Sequence, residues 1–307
     1  MTEEITLAKL REALQECWGK KLAAEAEHTG QGQTAEAQEA KNTAQAGQRK
    51  IRQPFSFVEV LPTVDSTNTY AKALLKTQKI ERGLIVALEQ TAGRGRQGKS
   101  FSSVRGNGIY MTLIFSMHKK AEDCLFLTSA AAVAVARALE QCSSEQPRIK
   151  WVNDVWIGEK KVCGILTEAV AERTSPAGFV DYAVVGIGIN IDADLQKMPE
   201  AVQEVAGAVH GLHAAPAELA AEIAVELASL LPRLHEEALL EEYRRRSMII
   251  GRDVYWETAG VRYEGRAADI QKDGNLVVDT ASGRMVLNSG LVSIRPLEKE
   301  AAEHAAG

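Results

Sequence analysis

The alternation of apolar and polar positions divides this chain into three regions. Leu7, Leu10, Leu14 and Trp18 recur at helical spacing, so residues 5–18 read as one amphipathic helix. From Ala23 to Lys50 there is no Val, Ile, Leu, Met, Phe, Tyr or Trp. Such a stretch cannot bury enough apolar surface to offset its ordering entropy, and it reads as a linker, disordered or loosely helical. Order begins near Pro54. Phe55–Leu61 reads as a strand, and Asp65 or Ser66 as the N-cap of a helix with Tyr70, Leu74 and Leu75 on one face. Gly83–Gln90 and Asn107–Phe115 read as strands, and 121–142 as a long Ala-rich helix. Arg148–Gly158 and Lys160–Val170 read as a hairpin, Asp181–Ile191 as a further strand, and 216–246 as two helices. The second helix ends in Arg244-Arg245-Arg246, which fits a solvated end favoured by the C-terminal dipole.

Beyond Arg252 the pattern changes to short alternating runs punctuated by Gly260, Asp273-Gly274 and Ser282-Gly283. Turn signals at that density predict a small barrel. The expected fold class is therefore α+β, with a mixed-sheet domain at 52–246 and a β-barrel at 247–297. Residues 1–51 form the leading helix and linker, and 298–307 a tail.

Composition narrows the function. With 36 Lys and Arg against 41 Asp and Glu, the net charge of −5 argues against a chain built mainly to coat nucleic acid. Cys17, Cys124, Cys142 and Cys163 are scattered, with no metal-ligand spacing, which predicts reduced thiols in a cytoplasmic protein. No apolar run is long enough to span a bilayer, and the N-terminus lacks the basic start and apolar run of a secretion signal.

The richest local chemistry is Gly93-Arg94-Gly95-Arg96-Gln97-Gly98-Lys99-Ser100. It matches both the dinucleotide pattern G-x-G-x-x-G and the P-loop pattern G-x-x-x-x-G-K-[ST]. Either would require a helix to open after the loop. Residues 100–108 instead carry polar and glycine breakers that run into a strand. The loop is nevertheless suited to anions. Its glycines let the backbone approach a phosphate, and its guanidinium forks bind phosphate oxygens bidentately. Three cations within six residues should repel one another and leave the loop mobile until a polyanion orders it.

Asp65-Ser66-Thr67-Asn68, Gln90-Thr91-Ala92, Lys150-Trp151-Val152-Asn153-Asp154, the run Lys160–Glu168, and Gly186-Ile187-Gly188-Ile189-Asn190 accompany this loop. In this order and spacing the segments resemble the biotin protein ligases. Each motif alone is weak, but five in order are specific. The resemblance covers residues 55–297, including the C-terminal SH3-like barrel that the family carries.

The resemblance implies an enzyme that activates biotin with ATP as biotinoyl-5'-AMP and transfers it to a lysine of a biotin carboxyl carrier protein or domain. It implies that Ser66, Thr67, Asn68 and Gln90 line the biotin site, and that Arg94, Gly95 and Arg96 wrap ligand and phosphate. Lys161, Arg94 and Arg96 would be catalytic, with Lys161 on the reacting carboxylate and phosphate oxygens and Lys160 a surface charge. Phe101, Asn153, Asp154 and Asn190 would serve ATP, with Asp154 toward Mg²⁺. The glycines of 164–166 and 186–190 would let the apolar biotin bicycle lie against the sheet. A homodimer formed through an edge strand is a further family expectation.

Val152 stands where the family has proline, Phe101 where it has Trp, and Gln97 and Lys99 where arginine is frequent. The winged helix-turn-helix of bifunctional relatives is not recognisable in residues 1–50, so no DNA binding is expected. The competing readings are a lipoate or octanoyl ligase of the same fold, a P-loop NTPase, and a biotin-responsive DNA-binding repressor. The Arg94-Gly95-Arg96 loop and the barrel favour biotin over lipoate.

Overall fold

Two sheets organise the computed structural model, which describes residues 4–28, 54–198, 200–258, 260–288 and 295–296. The elements run α1 (Leu7–His28), β1 (Phe57–Leu61), α2 (Thr67–Leu74), β2 (Arg82–Ala87), β3 (Gly108–Lys120), α3 (Leu127–Cys142), β4 (Pro147–Lys150), β5 (Asp154–Ile157), β6 (Lys160–Val170) and β7 (Phe179–Asn190). There follow the single turn α4 (Glu200–Gln203), α5 (Pro216–Leu230), α6 (Glu237–Arg246), β8 (Asp253–Thr258), β9 (Val261–Ile270), β10 (Leu276–Thr280), β11 (Gly283–Leu287) and β12 (Arg295–Pro296). The larger sheet has seven strands in the order β1-β2-β3-β7-β6-β5-β4, with only β1–β2 parallel. The smaller is a five-stranded antiparallel sheet, β11-β10-β9-β8-β12, as an SH3-like module requires. Its turns fall at Gly260, Gly274 and Gly283, all at positive φ, where glycine avoids a Cβ clash.

Strand side chains alternate between faces, so each central strand serves two layers. Ile109, Met111, Leu113 and Phe115 of β3, with Val185, Ile187 and Ile189 of β7, face the main core under α3 and α5. Ile114 of β3 and Tyr182 and Val184 of β7 face the other way, under Ala71 of α2. Along that second face β7 then places Gly186 and Gly188. The sheet surface is thus filled beneath α2 and stripped of side chains just beyond it.

The local readings changed in three places. The leading helix runs past Trp18 to His28, six residues into the stretch read as linker from Ala23, because Leu22 remains buried and Lys21 pairs with Glu226 on α5. Residues 29–53 lie outside the described residues, as do 289–294 and 297–307. The first limb of the hairpin is two strands, β4 and β5, separated by a turn at 151–153 whose Trp151–Val152 peptide is cis. Finally, the arginine run is not simply a solvated end. Arg246 pairs with Glu140 and Glu242, and Arg244 donates to the Ile270 carbonyl of β9, while Arg245 is exposed.

Candidate active site

The bare stretch of sheet floors an open cleft with an internal volume of about 160 Å³. Its walls are the start of α2, the 94–101 loop, the turn before β5, and β6. The loop is positioned by strand pairing that continues past β2. Thr91 N donates to Val64 O and Ala92 N to Asp65 O, which brings Gln90 beside the first turn of α2.

At that end Thr67 donates to the Gln90 Oε1 from both its backbone N (2.8 Å) and its Oγ1 (3.0 Å). Gln90 Nε2 donates to Ser103 Oγ at 2.8 Å, so the orientation of the amide is fixed from both sides. Ser66 occupies the N-cap position but makes no side-chain cap bond, and its buried hydroxyl borders the cleft. Asn68 is committed to the protein. Its Oδ1 accepts from Thr112 Oγ1 (2.7 Å), and its Nδ2 donates to Leu166 O (3.1 Å) and to Glu168 Oε2 (2.9 Å).

The loop is a tight turn in which Arg94 and Arg96 are met by protein groups. Gly95 N donates to Lys99 O, Phe101 N to Gly93 O, and Gln97 takes a positive φ of 54°. Arg94 pairs with Glu168 at 3.3 Å, and Lys72 from α2 shares the same carboxylate oxygen at 2.7 Å. Burial works to raise the Glu168 pKa, but hydrogen bonds from Lys72 and Asn68 and the charges of Lys72 and Arg94 outweigh it and hold the carboxyl below the usual range. The Arg96 guanidinium donates to Asn153 Oδ1 at 2.9 Å. Burial lowers its pKa and the charge of Asp154 opposes that shift. An arginine so placed keeps its proton. Lys161 pairs with Asp154 at 2.7 Å across adjacent strands. The self-repulsion expected of the loop is thus relieved by Glu168 and by the Asn153–Asp154 wall. No helix opens after Ser100, which removes the structural requirement of a P-loop.

The glycines of the floor also make room for protein side chains. A Cβ on Gly188 would strike the Phe101 ring, and one on Gly186 would strike the Asn68 amide. Protein groups therefore lie on these glycines and shape the cleft. Phe101 reaches the floor and meets Tyr110 edge-on at 6.4 Å between ring centroids. Asn190 is off the cleft, with its Nδ2 donating to Gly207 O at 2.9 Å. The other expected site residues, Ser66, Thr67, Asn68, Gln90, Arg94, Gly95, Arg96, Phe101, Asn153, Asp154 and Lys161, all line one cavity. Sequence reasoning missed the roles of Ser103, Thr112 and Glu168 in holding them. Glu168 closes one quoted motif, but nothing in the string points to its partners 74 and 100 residues away.

Asp154 is the one carboxylate among the described lining residues, and no cluster of three metal-binding side chains occurs among the described residues. That donor set suits Mg²⁺ arriving on phosphates, since Mg²⁺ retains waters and substrate oxygens, and does not suit a self-sufficient protein cage.

The chain is similar to known proteins in sequence and in fold. Residues 60–190 match the model of the biotin/lipoate A/B protein ligase family. The bifunctional ligase/repressor BirA of Bacillus subtilis is 31% identical over 229 residues, covering 72% of this chain and 68% of that protein. The biotin--[acetyl-CoA-carboxylase] ligase of Mycobacterium tuberculosis is 28% identical over 244 residues, covering 76% and 87%. Among solved structures, the biotin protein ligase from Aquifex aeolicus in complex with biotin and ATP matches with a TM-score of 0.64 at 25% identity, over 79% of this chain and all of that one. The chain belongs to the biotin/lipoate A/B protein ligase family.

Proposed function

We propose that this chain is an ATP-dependent biotin protein ligase that joins biotin to one lysine of a carboxylase's biotin carboxyl carrier domain. The observation that carries the reading is the convergence in one cleft of a neutral polar end and a cationic end. Ser66, Thr67 and Gln90 form the first; Arg94, Arg96 and Lys161 form the second. A ureido ring offers both donors and an acceptor, which hydroxyl and amide groups match. Its carboxylate, meeting a nucleotide phosphate, needs positive charge. The family and the biotin- and ATP-bound Aquifex aeolicus ligase support the same assignment.

In the first step a biotin carboxylate oxygen attacks the α-phosphorus of ATP. The bond to the β-phosphate oxygen breaks and pyrophosphate leaves. Arg96 and Lys161 hold the two anions together and offset the charge on the α-phosphate, so catalysis is chiefly positioning and electrostatics. Asp154 and Asn153 face the nucleotide side. Asp154 would hold Mg²⁺, which when bound neutralises phosphate oxygens. In the second step a lysine amine of the acceptor attacks the carbonyl of the mixed anhydride, and AMP leaves. No protein nucleophile is required. Cys163 is buried and burial pushes its thiol pKa upward, which fits a core residue. Among the described residues the four cysteines are free thiols, and no helix is long and apolar enough to cross a membrane.

The reading is tested by incubating the protein with ATP, Mg²⁺ and an apo carrier domain. Biotin should become covalently attached at one lysine of the carrier. Attachment of lipoate or octanoate in preference to biotin would overturn the assignment.

A further inference from the structure

The turn that carries Asn153 and Asp154 is gripped from behind by parts of the chain that never reach the cleft. Trp151 is 5% exposed, and its indole N–H donates to the carbonyl of Gly274 at 2.9 Å, across 123 residues of sequence. Gly274 belongs to the turn between β9 and β10 in the small sheet. The hydroxyl of the fully buried Tyr243 on α6 donates to the Val152 carbonyl at 3.1 Å. The next two residues meet the working cations: Asn153 accepts from Arg96, and Asp154 pairs with Lys161.

The far end of this linkage is also fixed. Gln271 N donates to Asn275 O, and Gly274 N to Gln271 O, each at 2.9 Å. Asn275 N donates to Asp273 Oδ1 at 3.0 Å. A Cβ at Gly274 would stand 3.5 Å from Ser129 Oγ and 3.6 Å from the Phe126 ring, so the turn is seated against the start of α3. Rigid contacts therefore run from the small sheet through Trp151 to the carboxylate and amide of the cationic end. Thr67, Gln90 and Ser103, at the neutral end, are held by one another and by the loop, with no bond to this turn.

We infer that Trp151 is a positioning residue for the nucleotide half of the site, and that the Gly274 carbonyl makes the small sheet a structural part of that half. The inference rests on the ligase reading. It predicts a split between the substrates: disturbing the contact weakens ATP binding far more than biotin binding, because the ureido end is held by Thr67, Gln90 and Ser103 and only the biotin carboxylate meets Arg96 and Lys161.

Trp151→Phe removes the N–H and keeps a buried aromatic ring. The KM for ATP should rise roughly five- to tenfold, the scale of one lost buried hydrogen bond. The Kd for biotin, measured calorimetrically without ATP, should stay within about twofold. Gly274→Ala strains the same turn from the other side and should give the same split. The double variant should be no worse than Trp151→Phe alone, because both remove one interaction. Additive effects, an unchanged KM for ATP, or parallel changes for biotin and ATP would overturn the inference. A wild-type protein with no biotin-dependent activity would instead defeat the ligase reading. In that case the contact is still read by hydrogen exchange of the Trp151 indole N–H, slow in the wild type and fast in Gly274→Ala. Equal exchange in the two would dismiss the contact itself.

Discussion

Lys161 stands in the cleft as the sequence motif implies, but its structural partner is Asp154, one strand away. If it offsets charge on the reacting phosphate, Lys161→Ala should lower the rate of adenylate formation by about 10²–10³-fold, the usual range for losing one transition-state donor. Near-normal single-turnover formation of the adenylate by that variant would remove Lys161 from the chemistry. Gly188 makes a second claim at this scale. Because the Phe101 ring occupies the space of its missing side chain, Gly188→Ala must displace the ring. The outcome expected is a weaker KM for ATP with little loss of thermal stability, since Phe101 sits on the cleft floor and not in the main core. Unaltered kinetics would mean that the ring does not shape the cleft. That Ser66, Thr67, Gln90, Arg94, Arg96 and Lys161 would share one cleft was legible because they sit in short motifs. Asn68 and Asn190 were legible only as motif members; the Asn68 amide and the Asn190 Nδ2 turn out to be engaged within the protein.

At the scale of elements, the loop and the helices depend on ion pairs that no local pattern announces. Glu168 on β6 gathers Lys72 and Asn68 from α2 and Arg94 from the loop. Its folded-state pKa is depressed, so its contribution to stability is complete above the ordinary glutamate pKa and is lost as the pH falls through the depressed value. At pH 7 Glu168→Gln should lower Tm by about 2–4 °C, as a change of roughly 1 kcal/mol does in a domain of this size. Melting curves of both proteins from pH 7 to pH 3 should converge below the glutamate range. A pH-independent gap would argue that Glu168 acts by shape and not by charge. A second network ties the helices: Arg137 of α3 bridges Glu226 of α5 and Glu242 of α6, and Glu226, 2% exposed, also takes Lys21 of α1. Arg137→Leu leaves Glu226 with Lys21 and Glu242 with Arg246 but removes the bridge between them, so it should cost about 1.5–3 kcal/mol in urea denaturation. A loss below about 1 kcal/mol would show that the network is dispensable. The helices themselves were readable from apolar spacing. Their long-range pairing was not, because a charge on an exposed-looking helix face reveals its partner only when the fold brings them together.

Across the whole molecule, the order of elements and the division into a mixed sheet and a small β-module were visible in the periodicity, since strand alternation and glycine turns are local signals. The face on which the site lies was not. It follows from the register that sets Thr112 beside Gly186 and Tyr110 beside Gly188, leaving a stripped patch beyond α2. That patch, the loop above it and the cations at its end form one cleft whose proposed work is to activate a carboxylate with ATP. The direct test is exchange of labelled pyrophosphate into ATP with the purified chain and Mg²⁺. The account predicts exchange that requires biotin, is not supported by lipoate, and is lost in Lys161→Ala. Exchange that proceeds with lipoate but not with biotin, or that needs no carboxylate substrate, would contradict it.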